Sequence, residues 1–90
     1  MGQDAHIVVQ GLVQGVGFRY FVLRQAARFS VRGYVKNLPN GDVEILAQGD
    51  RGAIEMLLAE VKVGPRSAHV KRCHVEWTTT AEQLREFEIR

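Results

Sequence analysis

Gly15 and Gly17 stand two residues apart and Arg19 follows at the same interval, within Gly11-Leu12-Val13-Gln14-Gly15-Val16-Gly17-Phe18-Arg19. These residue types suit the binding of an anion. Glycine admits backbone angles that turn successive N–H groups inward, which makes a concavity for oxyanions. A helix starting just after Gly17 adds unsatisfied N–H groups and the positive end of its dipole to the same place. Arg19 then falls in the first helical turn, where its guanidinium can close over the oxygens of a phosphoryl group. The spacing is neither the dinucleotide fingerprint, which needs a third glycine, nor a P-loop, which needs a following Lys-Ser or Lys-Thr. The same glycines also suit a purely structural turn.

The elements needed to hold such a loop are legible on both sides of it. His6 to Leu12 contains the β-branched run Ile7-Val8-Val9 and predicts an internal strand ending near Gly11. From Phe18 to Ser30, Phe18, Val22, Ala26 and Phe29 recur at helical spacing, with Arg24, Gln25 and Arg28 on the other side. Val31 to Asn37 and Asp42 to Gln48 read as a β-hairpin around Leu38-Pro39-Asn40-Gly41, with Val43, Ile45 and Ala47 on one face. Asp50 is placed to cap a second helix carrying the stripe Ile54, Leu57, Leu58 and Val61, which Gly64-Pro65 ends. Arg72 to Thr78 alternates Cys73, Val75 and Trp77 against His74 and Glu76, and Phe87 and Ile89 alternate in a short last strand. The order βαββαβ plus a short C-terminal strand predicts an α+β, ferredoxin-like two-layer sandwich, with two helices on one face of a mostly antiparallel sheet. A chain of 90 residues has room for one core, so residues 1–90 are expected to form a single domain.

Composition narrows the classes of function. Apolar residues make up 46% of the chain and charged residues 24%, enough for a packed core and unlike a disordered segment. No apolar run approaches the ~20 residues of a membrane span, and no signal peptide precedes the first strand, so a cytoplasmic protein with no membrane partner is expected. Cys73 is the one cysteine, which excludes an internal disulfide and fits the same compartment. A net charge of +2 is too small to indicate a nucleic-acid partner, although nine of the twelve cationic residues are arginine. His6, His69 and His74 are scattered without metal-ligand spacing, so neither a metal nor a cofactor is expected. Cys73, Trp77 and Phe29 read as core residues.

Two strings carry a family resemblance. Gly11 to Arg19 is similar to the first signature of the acylphosphatases, and Gly33-Tyr34-Val35-Lys36-Asn37-Leu38-Pro39-Asn40-Gly41-Asp42-Val43 with Gly49 resembles the second, at that family's spacing. The likeness continues through Gly64-Pro65, Ala68 and Val70 to Phe87-Glu88-Ile89-Arg90 and covers nearly the whole chain. It implies a small free-standing acylphosphatase that hydrolyses the carboxyl-phosphate bond of acyl phosphates. By this resemblance Val13, Gln14, Gly15, Val16, Gly17 and Phe18 form the phosphate-binding loop, Arg19 binds substrate, and Asn37 positions water. From its residue type and place alone, Asn37 is equally a turn residue. Leu12 departs from the basic or polar residue common there and bears on rim charge. The expected partners are a small-molecule acyl phosphate and inorganic phosphate, as product and competitive inhibitor, acting on a monomer. Two other readings stay open. One is an RNA-binding sheet, which the absence of aromatic residues in Ile7 to Gln10 and Val43 to Gln48 disfavours. The other is a domain that binds phosphate or a phosphorylated metabolite without hydrolysing it, as a relative of the acylphosphatase-like domain at the start of larger carbamoyl-transfer maturation enzymes.

Overall fold

A computed structural model describes residues 3–79 and 82–90. Its elements, in chain order, are β1 (Gln3–Leu12), α1 (Phe18–Arg28), β2 (Arg32–Asn37), β3 (Val43–Gly49), α2 (Arg51–Val63), β4 (His69–Thr78) and β5 (Phe87–Ile89). The strands form one five-stranded sheet in the order β4-β1-β3-β2-β5. Every neighbouring pair is antiparallel except β2 with β5, which is parallel. This is the ferredoxin-like α+β sandwich that the pattern of elements predicts.

Period-two alternation places Ala5, Ile7 and Val9 of β1 on the same face as Val35 of β2 and Val43, Ile45 and Ala47 of β3. The helices cover that face with Phe18, Val22 and Ala26 from α1 and Ile54, Leu57 and Val61 from α2, all fully buried or nearly so. Each of these side chains other than Ala26 contributes roughly 1.5–3 kcal/mol by leaving water, so the two stripes fix both helices to one side of the sheet. Trp77, Cys73 and Phe29 are half-buried and pack against this core from its margin. No helix among the described residues is long and apolar enough to cross a membrane.

Three boundaries differ from the sequence pattern by two residues or more, and the edges of β2 and β3 by one. β1 begins at Gln3 and β4 at His69, because the two strands pair along their full lengths, past a bulge at Gln10/Gly11 that the alternation of side chains does not announce. α1 ends at Arg28, short of Ser30. Its last turn closes by paired bonds, Ser30 N–H to Ala27 O at 3.3 Å and Val31 N–H to Ala26 O at 2.9 Å. That is a Schellman stop, with Ser30 in the left-handed position at φ 58° where glycine is usual.

The face of the sheet away from the helices is covered in part by the chain leading into β5. β4 and β5 lie on opposite edges, so this connection must cross the sheet. Gln48 fastens it, donating from Nε2 to Glu82 O at 2.6 Å and accepting the Leu84 N–H at Oε1 at 2.9 Å. Leu46, Gln48 and Leu84 are buried as a result. The alternation in β3 predicts only Val43, Ile45 and Ala47 as core; Leu46 and Gln48 are buried because a distant segment lies over them.

The left-handed conformation costs a side-chain-bearing residue roughly 1–2 kcal/mol relative to glycine. Ser30→Gly is therefore expected to raise the unfolding free energy by about 1 kcal/mol, read as a higher urea midpoint at unchanged slope. A lower midpoint would show that the Ser30 side chain stabilises the turn.

Candidate active site

The corner between β1 and α1 is built from backbone. Gly11, at φ 134°, lies so close to β4 that a Cβ there would meet His69 O at 2.1 Å, and the strand bends at the adjoining bulge. Gly15 and Gly17 then take φ values of 73° and 77°. A Cβ at either position would meet nothing within 4 Å, so glycine is required for the angle and not for space. Gly17 is the residue that precedes α1, and its carbonyl accepts the Phe21 N–H at 3.1 Å. The N–H groups of the first turn have no intrahelical acceptor.

The two helices treat their N-termini differently. Asp50 caps α2, accepting the Ala53 N–H at 3.3 Å. α1 has no side-chain cap and no acidic residue in its first turn. Its positive end therefore faces outward, without a carboxylate to compete with an incoming anion.

A cavity of about 170 Å³ opens at this point, lined by Val13, Gly15, Gly17, Phe18, Arg19, Tyr20 and Asn37. Arg19 is half-buried, and its Nη1 donates to the main-chain oxygen of Arg90 at 3.0 Å. This tether fixes one edge of the guanidinium and leaves its remaining N–H donors for a ligand. Asn37, the last residue of β2, reaches the cavity from the other side. Its Oδ1 is buried and receives no hydrogen bond from the described residues. A buried amide oxygen without a donor is costly unless a bound water or ligand supplies one.

Of the residues predicted for the loop, Val13, Gly15, Gly17 and Phe18 line the cavity, together with Arg19 and Asn37. Gln14 and Val16 do not line it and act as anchors. Gln14 Nε2 donates to Leu38 O at 2.8 Å and to Asp42 O at 2.7 Å, the two ends of the turn between β2 and β3. Val16 O accepts a hydrogen bond from Ser67 Oγ at 2.8 Å. The turn itself is closed by Gly41 N–H to Leu38 O and Leu38 N–H to Asp42 O. Gln14 thus joins the glycine loop to the turn that follows Asn37. Tyr20 lines the cavity while 63% exposed, a contact that its position on the outer side of α1 did not signal.

Cys73 and the three histidines do not line this cavity. Burial raises the Cys73 thiol pKa, and the nearby Lys62 only partly offsets it. Among the described residues, no group of three or more His, Cys, Asp or Glu side chains could hold a metal ion.

A family model described as acylphosphatase matches residues 5–89. An acylphosphatase of Chlorobaculum tepidum is 46% identical over 84 residues, spanning 93% of this chain and 91% of that protein. The crystal structure of an acylphosphatase from Bacillus subtilis is 39% identical, with a TM-score of 0.94, and the match covers 100% of this chain and 99% of that one. Full-length HypF, crystallised in a phosphate- and nucleotide-bound form, is 30% identical with a TM-score of 0.92; the match covers 100% of this chain and 12% of that one.

Glutamate has no N–H to give the two carbonyls that Gln14 satisfies, and its charge would repel them. Gln14→Glu is expected to impair inorganic phosphate binding more than Gln14→Ala, which leaves the loop merely untied. Phosphate titrations followed by amide NMR shifts check the order; equal or reversed effects would remove Gln14 as the tie. For Cys73, the raised pKa predicts that modification by a thiol reagent reaches half-maximal rate at a pH above that of a free thiol, about 8.5. A midpoint at or below that value would contradict the buried environment.

Proposed function

Because the chain belongs to the acylphosphatase family, we propose that it hydrolyses acyl phosphates by in-line attack of a water held by Asn37 on a phosphoryl group held by Arg19 and the Val13–Phe18 loop. The observation that carries this assignment is the buried Asn37 Oδ1, which has no donor among the described residues and belongs to a residue lining the same cavity as Arg19 and the two left-handed glycines.

The chemistry needs little more. An acyl phosphate expels a carboxylate, which is already stable near neutral pH, so the leaving group requires no general acid. The remaining tasks are to hold the phosphoryl oxygens, to stabilise charge on them in the transition state, and to place one water opposite the departing oxygen. The uncapped N–H groups of the loop and first helical turn, with the Arg19 guanidinium, serve the first two. Asn37 Oδ1 accepts a hydrogen bond from the water and so aims its lone pair at phosphorus.

As the new P–O bond forms, the P–O bond to the acyl group breaks and its electron pair leaves on the carboxylate. The amide of asparagine is no base at neutral pH, so the water's proton passes to a phosphoryl oxygen. The products are a carboxylate and inorganic phosphate. Phosphate presents the same oxygens to the loop and should compete with substrate. The mechanism uses neither metal nor cofactor, so EDTA should leave turnover unchanged. It requires one copy of the chain and is consistent with a cytoplasmic monomer.

Arg19 and Asn37 are expected to fail differently. Arg19→Ala should lower the rate by on the order of 10³-fold, the lower end seen for phosphoryl-transfer arginines, and should abolish competitive phosphate binding. Asn37→Ala should lose turnover yet bind phosphate with nearly the affinity of the parent, since loop and guanidinium remain. Benzoyl phosphate hydrolysis and phosphate calorimetry on both variants separate the roles. Substantial turnover by Asn37→Ala, or loss of its phosphate binding, would falsify the water-positioning role.

A further inference from the structure

The Arg19 tether ends on a residue that is itself held from the far side of the sheet. Arg90 follows β5, beyond the last strand residue Ile89. Its main chain makes one sheet-like bond, N–H to Val35 O at 2.8 Å. A residue with so little backbone pairing would ordinarily fray, and the oxygen that holds Arg19 would move with it.

What fixes Arg90 is its side chain. The guanidinium carbon lies 4.3 Å from the centroid of the Tyr34 ring. Nε donates to Glu88 Oε2 at 3.1 Å and Nη2 to Glu82 Oε2 at 3.3 Å. The plane is thus laid on an aromatic face and bracketed at its edge by two carboxylates, a geometry that suits arginine and not lysine. Tyr34 is restrained in turn, its OH donating to Glu44 Oε1 at 3.2 Å, while the other Glu44 oxygen lies 2.8 Å from His6 Nε2. Burial first, and then the charge of Glu44, raises the Tyr34 pKa, so the phenol stays a donor. Tyr34 shares β2 with Asn37 but points to the face without helices, since its neighbours Gly33 and Val35 are buried on the other side.

We propose that Tyr34 is a positioning residue for Arg19, acting through its stack on Arg90, which holds the Arg90 main-chain oxygen where it orients the substrate-binding guanidinium. The proposal rests on the assignment of Arg19 to the phosphoryl group. It makes the outer face of the sheet, which touches no substrate, part of what determines catalytic rate.

The test compares Tyr34→Leu, Tyr34→Phe, Arg90→Met and the double variant Tyr34→Leu/Arg90→Met. Each is assayed for benzoyl phosphate hydrolysis, inorganic phosphate affinity, and the NMR signal of the Arg19 Nε–H. Tyr34→Phe keeps the ring and should stay within about twofold of the parent. Tyr34→Leu and Arg90→Met should each lose roughly tenfold in kcat/KM, the scale of one cation–π contact, with weaker phosphate binding and a displaced or broadened Arg19 signal. The double variant should lose no more than Arg90→Met alone, because Tyr34 acts only through its stack on Arg90. Arg90→Met leaves the core untouched and keeps the test open if Tyr34→Leu is poorly folded. Phosphate affinity and an Arg19 signal equal to the parent's in folded Arg90→Met, or losses that multiply in the double variant, would overturn the proposal. A parent chain that binds phosphate but does not cleave benzoyl phosphate would sink the assignment of hydrolysis instead, while the phosphate and NMR readouts would still decide the role of Tyr34.

Discussion

The two hydrogen bonds from Gln14 Nε2 to Leu38 O and Asp42 O bind together the halves of the site. In the sheet order, β3 lies between β1 and β2, so the strand that feeds the anion loop and the strand that ends in Asn37 are not neighbours. Two strand spacings separate them, roughly 10 Å, and no ladder bond connects the pair. The side chain of Gln14 bridges that gap and uses both protons of one amide nitrogen to do it. With the loop tied to the hairpin turn, the loop backbone and Asn37 have a fixed relation to one another. Without it, each half would be ordered by its own strand and free to drift from the other.

A site made mainly of backbone places unusual demands on so small a fold. Its donors cannot be supplied by choosing reactive side chains; they must be left over by the geometry of a strand end, two left-handed residues and an uncapped helix. The contrast with α2 shows that the uncapped end is local to α1, since Asp50 satisfies the equivalent position there. Phe18, fully buried directly after the loop, anchors the first turn of α1 in the core. The glycine loop therefore inherits its rigidity from apolar packing beneath it, where truncating a buried phenylalanine costs about 3–5 kcal/mol.

The far face of the sheet contributes in a second way. Because β4 and β5 occupy opposite edges, the chain must cross the sheet, and Gln48 pins that crossing through Glu82 and Leu84. The crossing delivers Glu82 to the Arg90 guanidinium and β5 to the edge of β2. The Arg90 main-chain oxygen reaches Arg19 from there. Stability of the outer layer and orientation of the guanidinium thus share the same residues, and a substitution there can be read as a change in either.

The sequence by itself determined the sandwich and the place of its glycine loop, because both rest on local periodicity and local backbone angles. The alternation of Val43, Ile45 and Ala47, the helical stripes from Phe18 and Ile54, and the glycines at 15 and 17 are each read within a few residues of chain. It also named Arg19 and Asn37, through the resemblance of two separate strings. What it did not contain was any contact whose partner lies on another element. Gln14 was legible as a loop residue but not as a tie to Leu38 and Asp42, and nothing along the chain announced that Gln48 fastens the segment at Glu82 to Leu84. Tyr20 at the mouth of the cavity and the stack of Arg90 on Tyr34 belong to the same class. Strand order decided these, since only the folded sheet brings residues tens of positions apart within hydrogen-bonding distance, and no period along the chain encodes that meeting.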